Sequence, residues 1–143
     1  VRTFEAAAWL RRSGADTTEV KRFFQTDMEM FRVRAKSIAS AELHNNGVAT
    51  SLCEGYNRDA QIINSQVADE LLNIKGVKAS FVAGKNDSGK TVVSARSLGE
   101  LNVQVIMEKL GGGGHLTTAG AQVEESPEDV LEVIKNIIGS EER

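Results

Sequence analysis

Residues 91–123 read TVVSARSLGELNVQVIMEKLGGGGHLTTAGAQV, from Thr91 to Val123. The β-branched opening, TVVSARS, predicts a strand with alternating side chains: Ser94 and Arg96 on one face, Val93, Ala95 and Ser97 on the other. Asn102 is placed to cap a helix that comes next, and Val103, Ile106, Met107 and Leu110 recur at helical spacing until the glycines stop them. AGAQVEE then predicts another strand. At the junction stand four consecutive glycines, Gly111–Gly114, followed by His115, one of two histidines in the chain. Each Gly loses more backbone freedom on folding than any other residue, so such a run inside a domain needs a reason. A flexible linker would continue in Gly, Ser or charged residues, whereas this run lies between an apolar helix pattern and a strand. The alternative is a turn whose backbone approaches a ligand, with amide N–H groups turned toward an anion.

Working outward, GVATSLCEG has the residues of a buried strand. DAQIINSQVADELLNIKG follows as a helix burying Ile62, Ile63, Val67, Leu71 and Leu72, with Gly76 at its end. VKASFVA and TVVSARS are joined by GKNDSGK, and SPEDVLEVIKNII closes as a helix with Ser126 at the cap and Pro127 in the first position. The order β-α-β-β-α-β-α predicts an α/β fold, a mixed β-sheet flanked by helices. Upstream, TFEAAAWLRRSG predicts a short helix from Thr3 to the stop at Gly14. Asp16 and Glu19 form a capping box for a long amphipathic helix carrying Val20, Phe24, Met28, Phe31, Ala35 and Ile38. That helix is expected to end near HNNG, with His44 close to its C-terminus, where an imidazole suits the helix dipole.

Gly84–Thr91, GKNDSGKT, matches the phosphate-loop pattern of nucleoside triphosphatases. Such a loop must open a helix, and TVVS instead predicts a strand, so NDSG is read as hairpin chemistry. Composition narrows the classes further. The chain has 143 residues, 41% apolar and 26% charged, enough for one compact domain. No apolar run approaches the roughly 20 residues of a membrane span. The opening VRTFEAAAWLRR reads neither as a signal peptide nor as an ordinary initiator sequence and predicts a piece of a larger protein. A net charge of −3 and a pI near 5.5 argue against a grip on long nucleic acid, while leaving room for a small anion. The single cysteine, Cys53, sits in an apolar run and is expected to be buried packing. Two histidines 71 positions apart and one cysteine assemble neither a metal site nor a nucleophile triad.

One constellation survives. Arg96 offers a donor fork matched to phosphate oxygens, Ser94 and Ser97 add hydroxyls, the glycine amides can hold a second anionic group, and His115 can donate or stack. SARS followed by NVQVIMEKLGGGGHLTTAG resembles the signature of the DHHA1 domain, the substrate-binding half of the DHH/DHHA1 phosphoesterases that include RecJ nucleases and nanoRNA hydrolases. Thr118-Ala119 stands where that family commonly has two alanines. RTFEAAAWLRR and GVATSLCEGYNRDAQIINSQVADELLNIKGVKASFVAG extend the resemblance to the GdpP-type (YybT-type) cyclic di-AMP phosphodiesterases, nearly end to end.

The resemblance implies three parts: residues 1–15 as the tail of a DHH domain, 16–46 as a linker helix, and 47–143 as the DHHA1 substrate-binding domain. It further implies Ser94, Arg96, Ser97, Gly112, Gly113, Gly114 and His115 as substrate-binding residues, with no catalytic residue and no metal ligand among them. Manganese would belong to the DHH domain of the parent protein, which would convert cyclic di-AMP to pApA. The implied partners are cyclic di-AMP or pApA, the parent's DHH domain and, through the long helix, a second copy in a homodimer. The location implied is the cytoplasmic side of a parent anchored in the bacterial cell membrane. Two other classes stay open at this point: part of a nanoRNase or RecJ-like exonuclease, and a non-catalytic RNA-binding or dimerisation module.

Overall fold

The computed structural model describes residues 28–54 and 58–141. They form helices α1 (Met28–Ala39), α2 (Ala60–Leu71), α3 (Val103–Lys109) and α4 (Pro127–Glu141). The strands are β1 (Glu42–Leu43), β2 (Val48–Leu52), β3 (Ala79–Lys85), β4 (Thr91–Ser97), β5 (Gly113–Gly114) and β6 (Thr118–Val123). All six strands join one sheet in the order β1-β2-β3-β4-β6-β5. β2 and β3 run parallel, joined through α2, and every other neighbouring pair is antiparallel. This is the expected α/β class with a mixed sheet. The predicted helix over residues 3–14 and the Asp16–Glu19 capping box lie outside the described residues.

Strand alternation divides the apolar side chains between two cores. Phe81 and Val93 face α3 and α4, where Ile106, Met107 and Ile134 are fully buried. Val82 faces the other way, onto Ile63, Val67 and Leu71 of α2. Each such side chain contributes about 1.5–3 kcal/mol by leaving water, which holds the helical layers against both faces. The predicted caps are present: Asn102 accepts from the amides of Gln104 and Val105, and Ser126 Oγ accepts from Asp129 N at 3.1 Å. Cys53 is buried, and that burial raises its thiol pKa despite a hydrogen bond with Ser37 that acts the other way.

Four expectations need correction. The long helix ends at Ala39 instead of near Gly47; Glu42 and Leu43 already pair with β2, so the sheet starts ahead of the expected domain start. His44 lies in the β1–β2 connection, its Nε2 3.0 Å from Thr50 Oγ1, and not at a helix end. α1 also turns inward a stripe that shares only Ile38 with the expected one. Met30, Val33 and Ile38 pack on the second core around buried Ser37, while Met28 and Phe31 are exposed. The sequence carries two apolar stripes, and the one containing small Ser37 fits close to β2, where Ser51 Oγ donates to the Ser37 carbonyl at 2.5 Å. In α2, Ile62 is exposed, because consecutive residues lie about 100° apart and Ile63 takes the inward position.

The phosphate-loop look-alike is a hairpin, as expected. Asn86 Oδ1 accepts from Ser88 N and Lys90 N at 3.0 and 3.1 Å, Gly89 takes φ +80°, and Thr91 begins β4 instead of a helix.

Candidate functional site

On the face shared with α1 and α2, the helical layer stops at β4. The outward residues of β6 are therefore uncovered: Thr118 and Gln122 are exposed and Gly120 half-buried. The step between α2 and the bare strands is a cleft of about 500 Å³. Its floor is set by register. Arg96 stands opposite Thr118, Ser94 opposite Gly120 and Val92 opposite Gln122, while Gly113 of β5 continues the Ser94 row beyond Gly120. Its wall is α2, where Gln61, Ser65 and Asp69 recur every fourth residue and so share one helical line. Wall and floor meet twice: Ser65 Oγ lies 3.3 Å from Ser94 Oγ, and Arg96 Nε donates to Asp69 Oδ1 at 2.8 Å.

Arg96 is the strongest charge in the cleft. Its side chain is 14% exposed against 63% for Asp69, and Nη1 also donates to its neighbour's carbonyl, Ala95 O, at 2.9 Å. Bonds at Nε and at Nη1 fix the plane of the guanidinium, and a fixed plane is what directed recognition of phosphate oxygens by the remaining N–H groups requires.

The four glycines divide the work. Gly111 takes φ +86° as the left-handed stop of α3, and its amide donates to Glu108 O at 3.0 Å. At Gly112 a Cβ would collide with the Gly120 carbonyl oxygen and Ala121 Cα; at Gly114, with φ +147°, it would stand 2.5 Å from Ala119 Cα and Thr118 O. These two let β5 lie tight on β6. At Gly113 an added Cβ would meet nothing within 4 Å. The amides of Gly111, Gly112 and His115 are already bonded inside the protein, to Glu108, Met107 and Thr118 carbonyls, so these three do not serve the expected anion-holding role.

Six of the seven residues expected at the site, Ser94, Arg96, Gly112, Gly113, Gly114 and His115, line this one cleft. Ser97 does not. It lies on the opposite face of β4, buried, its hydroxyl donating to Leu101 O at 2.6 Å and accepting from Gly99 N at 2.9 Å, which closes the turn into α3. The wall residues Gln61, Ser65 and Asp69, together with Thr118 and Gln122, are not among the residues expected from sequence. The polar line along α2 is visible in the sequence, but its partner strand is not.

Among the described residues no three His, Cys, Asp or Glu side chains gather as a metal centre would require. The cleft's polar groups are a guanidinium, hydroxyls, carboxamides, an imidazole and one carboxylate, Asp69, which is paired with the guanidinium, so the set suits phosphate oxygens better than a divalent ion. The manganese that the resemblance assigns to the parent's DHH domain finds no fitting ligand set in this cleft. A second cavity, about 440 Å³, lies between the end of α1, β2 and the start of α4. Glu42, Glu54, Glu128 and Glu132 line it with Lys36 and Lys135, a balance that repels phosphate.

Residues 45–140 match the model of the DHHA1 domain. The chain belongs to the DHHA1 family. It is 47% identical over 122 residues, 85% of its length, to the cyclic-di-AMP phosphodiesterase GdpP of Geobacillus thermodenitrificans. It is 44% identical over 87% of its length to the cyclic-di-AMP phosphodiesterase PdeA of Listeria monocytogenes. The chain spans about a fifth of the length of these relatives, 18% and 19%. An exopolyphosphatase-related protein from Bacteroides fragilis shares the fold at TM-score 0.71 and 16% identity, covering 97% of this chain and 43% of its own. Within this DHHA1 domain, no helix among the described residues is long and apolar enough to cross a membrane.

Proposed function

We propose that the cleft binds cyclic di-AMP and its linear product pApA, and that this chain is the substrate-orienting part of a cyclic di-AMP phosphodiesterase. The single observation that carries the reading is Arg96, held in plane by Asp69 and Ala95 O in the cleft that the backbone of Gly113 also lines. A fixed guanidinium and a side-chain-free backbone edge together accept a phosphodiester that a Cβ would obstruct. The identity to GdpP and PdeA, spread over most of the chain, supports the choice of dinucleotide. Residues 47–143 act as the binding domain, and the region before it leads from the parent's DHH domain, where manganese would supply the water-activating chemistry. The parent is anchored in the bacterial membrane with this domain on the cytoplasmic side. The domain positions substrate and performs no bond cleavage alone, and its net charge of −3 fits a small anionic ligand better than a long nucleic acid.

Calorimetric titration with cyclic di-AMP, cyclic di-GMP and pApA tests this reading, alongside a hydrolysis assay with manganese added. Weak binding of the adenine dinucleotides without turnover is expected. No binding of any of the three, or manganese-dependent turnover that survives repurification in proportion to protein, would overturn it.

A further inference from the structure

The cleft does not end at Val92. A second hollow of about 340 Å³ opens beyond it, toward the tip of the β3–β4 hairpin and the start of α2. Three residues line both spaces: Gln61, Val92 and Gln122. They are the third row of the arrangement already described, one step past Ser65–Ser94–Gly120 and two past Asp69–Arg96–Thr118. The row has a half-buried Val92 as its floor, with an exposed carboxamide on each side. Going from Arg96 to Val92 covers four residues of strand, about 13 Å at 3.3 Å per residue, with the Ser65 and Ser94 hydroxyls midway. Charge changes along the way. The near end carries Arg96, whereas the far hollow carries the carboxylates Asp59 and Asp87 and no basic side chain.

We propose that this third row is a nucleobase subsite, in which Val92 supports the base and Gln61 and Gln122 read its edge. The proposal rests on the nucleotide-binding reading of the same cleft and extends it to base selectivity. Carboxylates at the far end exclude a phosphate there and favour a neutral group rich in N–H donors, so the ligand lies with phosphate at Arg96 and base at Val92. An apolar floor suits the face of a heterocycle. A carboxamide presents one donor and one acceptor side by side, and that pair matches adenine, whose N6 amino group donates while its ring nitrogen accepts. On the edge that carries N7, guanine and hypoxanthine present two acceptors, O6 and N7, in place of adenine's donor and acceptor, and leave the amide oxygen unmatched. Selectivity for adenine therefore resides in the two glutamines, and anchoring resides in Arg96 and the glycine edge.

The test uses the whole chain and three probes: pApA, its hypoxanthine counterpart pIpI, and ribose 5-phosphate, which lacks a base. Backbone and side-chain amide NMR shifts are followed during each titration for the parent and for the Gln61→Ala/Gln122→Ala double variant. In the parent, pApA should move the side-chain amide signals of Gln61 and Gln122 together with Gly113, whereas ribose 5-phosphate should move Gly113 and leave both glutamines still. The double variant should bind pApA about tenfold more weakly and lose the preference for pApA over pIpI, with ribose 5-phosphate binding unchanged. An unchanged preference in the double variant overturns the subsite even if pApA still binds at Gly113. An equal loss for ribose 5-phosphate overturns it too, by showing damage at the phosphate end. A parent chain that binds none of the probes removes the nucleotide reading itself, and the subsite with it.

Discussion

Two glycine-containing segments of this chain look like phosphate loops, and the structure uses them in different ways. GKNDSGKT, Gly84–Thr91, has the spacing of a nucleotide-binding loop, yet it forms the tip of an exposed hairpin held by Asn86 Oδ1. GGGGH, Gly111–His115, matches no such spacing, yet its second and fourth glycines seat a two-residue strand against β6 and its third lies open to the cleft beside Arg96. The difference lies in the element that each segment leads into. Thr91-Val92-Val93 is β-branched and continues into a central strand, so no helix N-terminus can face an anion there. His115 leads by a short connection back along β6, which holds the glycine edge in the same cleft as the fixed guanidinium of Arg96. Glycine count says little; the element a glycine is pinned to says what its missing Cβ is for.

Substitutions in the two segments can break that contrast, and the largest effect belongs to Gly112→Ala. The new methyl has backbone on every near side, the Gly120 carbonyl and Ala121 Cα, so β5 must leave β6. A loss of about 3 kcal/mol is expected, the upper end of overpacking penalties, read as a fall in the midpoint of chemical denaturation. An unchanged midpoint would mean that the glycine run is loose in solution.

Arg96→Ala comes next and separates binding from stability. A charged donor to phosphate is worth about 1.5–3 kcal/mol, so dinucleotide affinity should drop ten- to a hundredfold, beyond detection for a weak site. The partner left behind, Asp69, is 63% exposed and stays hydrated, so the melting temperature should move by only a degree or two. A large thermal loss with retained affinity would make Arg96 a structural residue.

Gly89→Ala probes the hairpin and has the smallest effect. At φ +80° the alanine costs about 1 kcal/mol of stability, visible in the denaturation midpoint, with dinucleotide affinity equal to the parent's. A loss of affinity there would return the hairpin to consideration as a phosphate loop.

How much of the molecule is legible in its sequence depends on the range over which each feature is determined. The caps at Asn102 and Ser126, the hairpin at Asn86 and the alternation in β4 are local, set within a few residues, and all are read correctly from sequence. The β4 alternation already separates Ser97 from Ser94 and Arg96, and grouping all three in one constellation overrides it. The features that are not legible depend on partners distant in sequence. The two-residue strands β1 and β5 carry no periodicity and exist because β2 and β6 offer them an edge. The choice between two apolar stripes on α1 is made by its fit to β2 and α2. The cleft wall of Gln61, Ser65 and Asp69 faces β4 only after the parallel crossover places α2 over it, a step no local pattern encodes.

Gly113→Ala, measured by melting curve and by pApA titration on the same preparation, tests the central claim most directly. The added Cβ meets no protein atom within 4 Å, and the position carries no left-handed backbone, so the fold should tolerate it. Restriction of the unfolded chain can even raise stability by about 0.4–1 kcal/mol. The account predicts a melting temperature at or slightly above the parent's with pApA binding lost, because the methyl occupies the space the phosphodiester needs. Parent-like stability with parent-like affinity would contradict it, since the open glycine would then not be where the ligand lies.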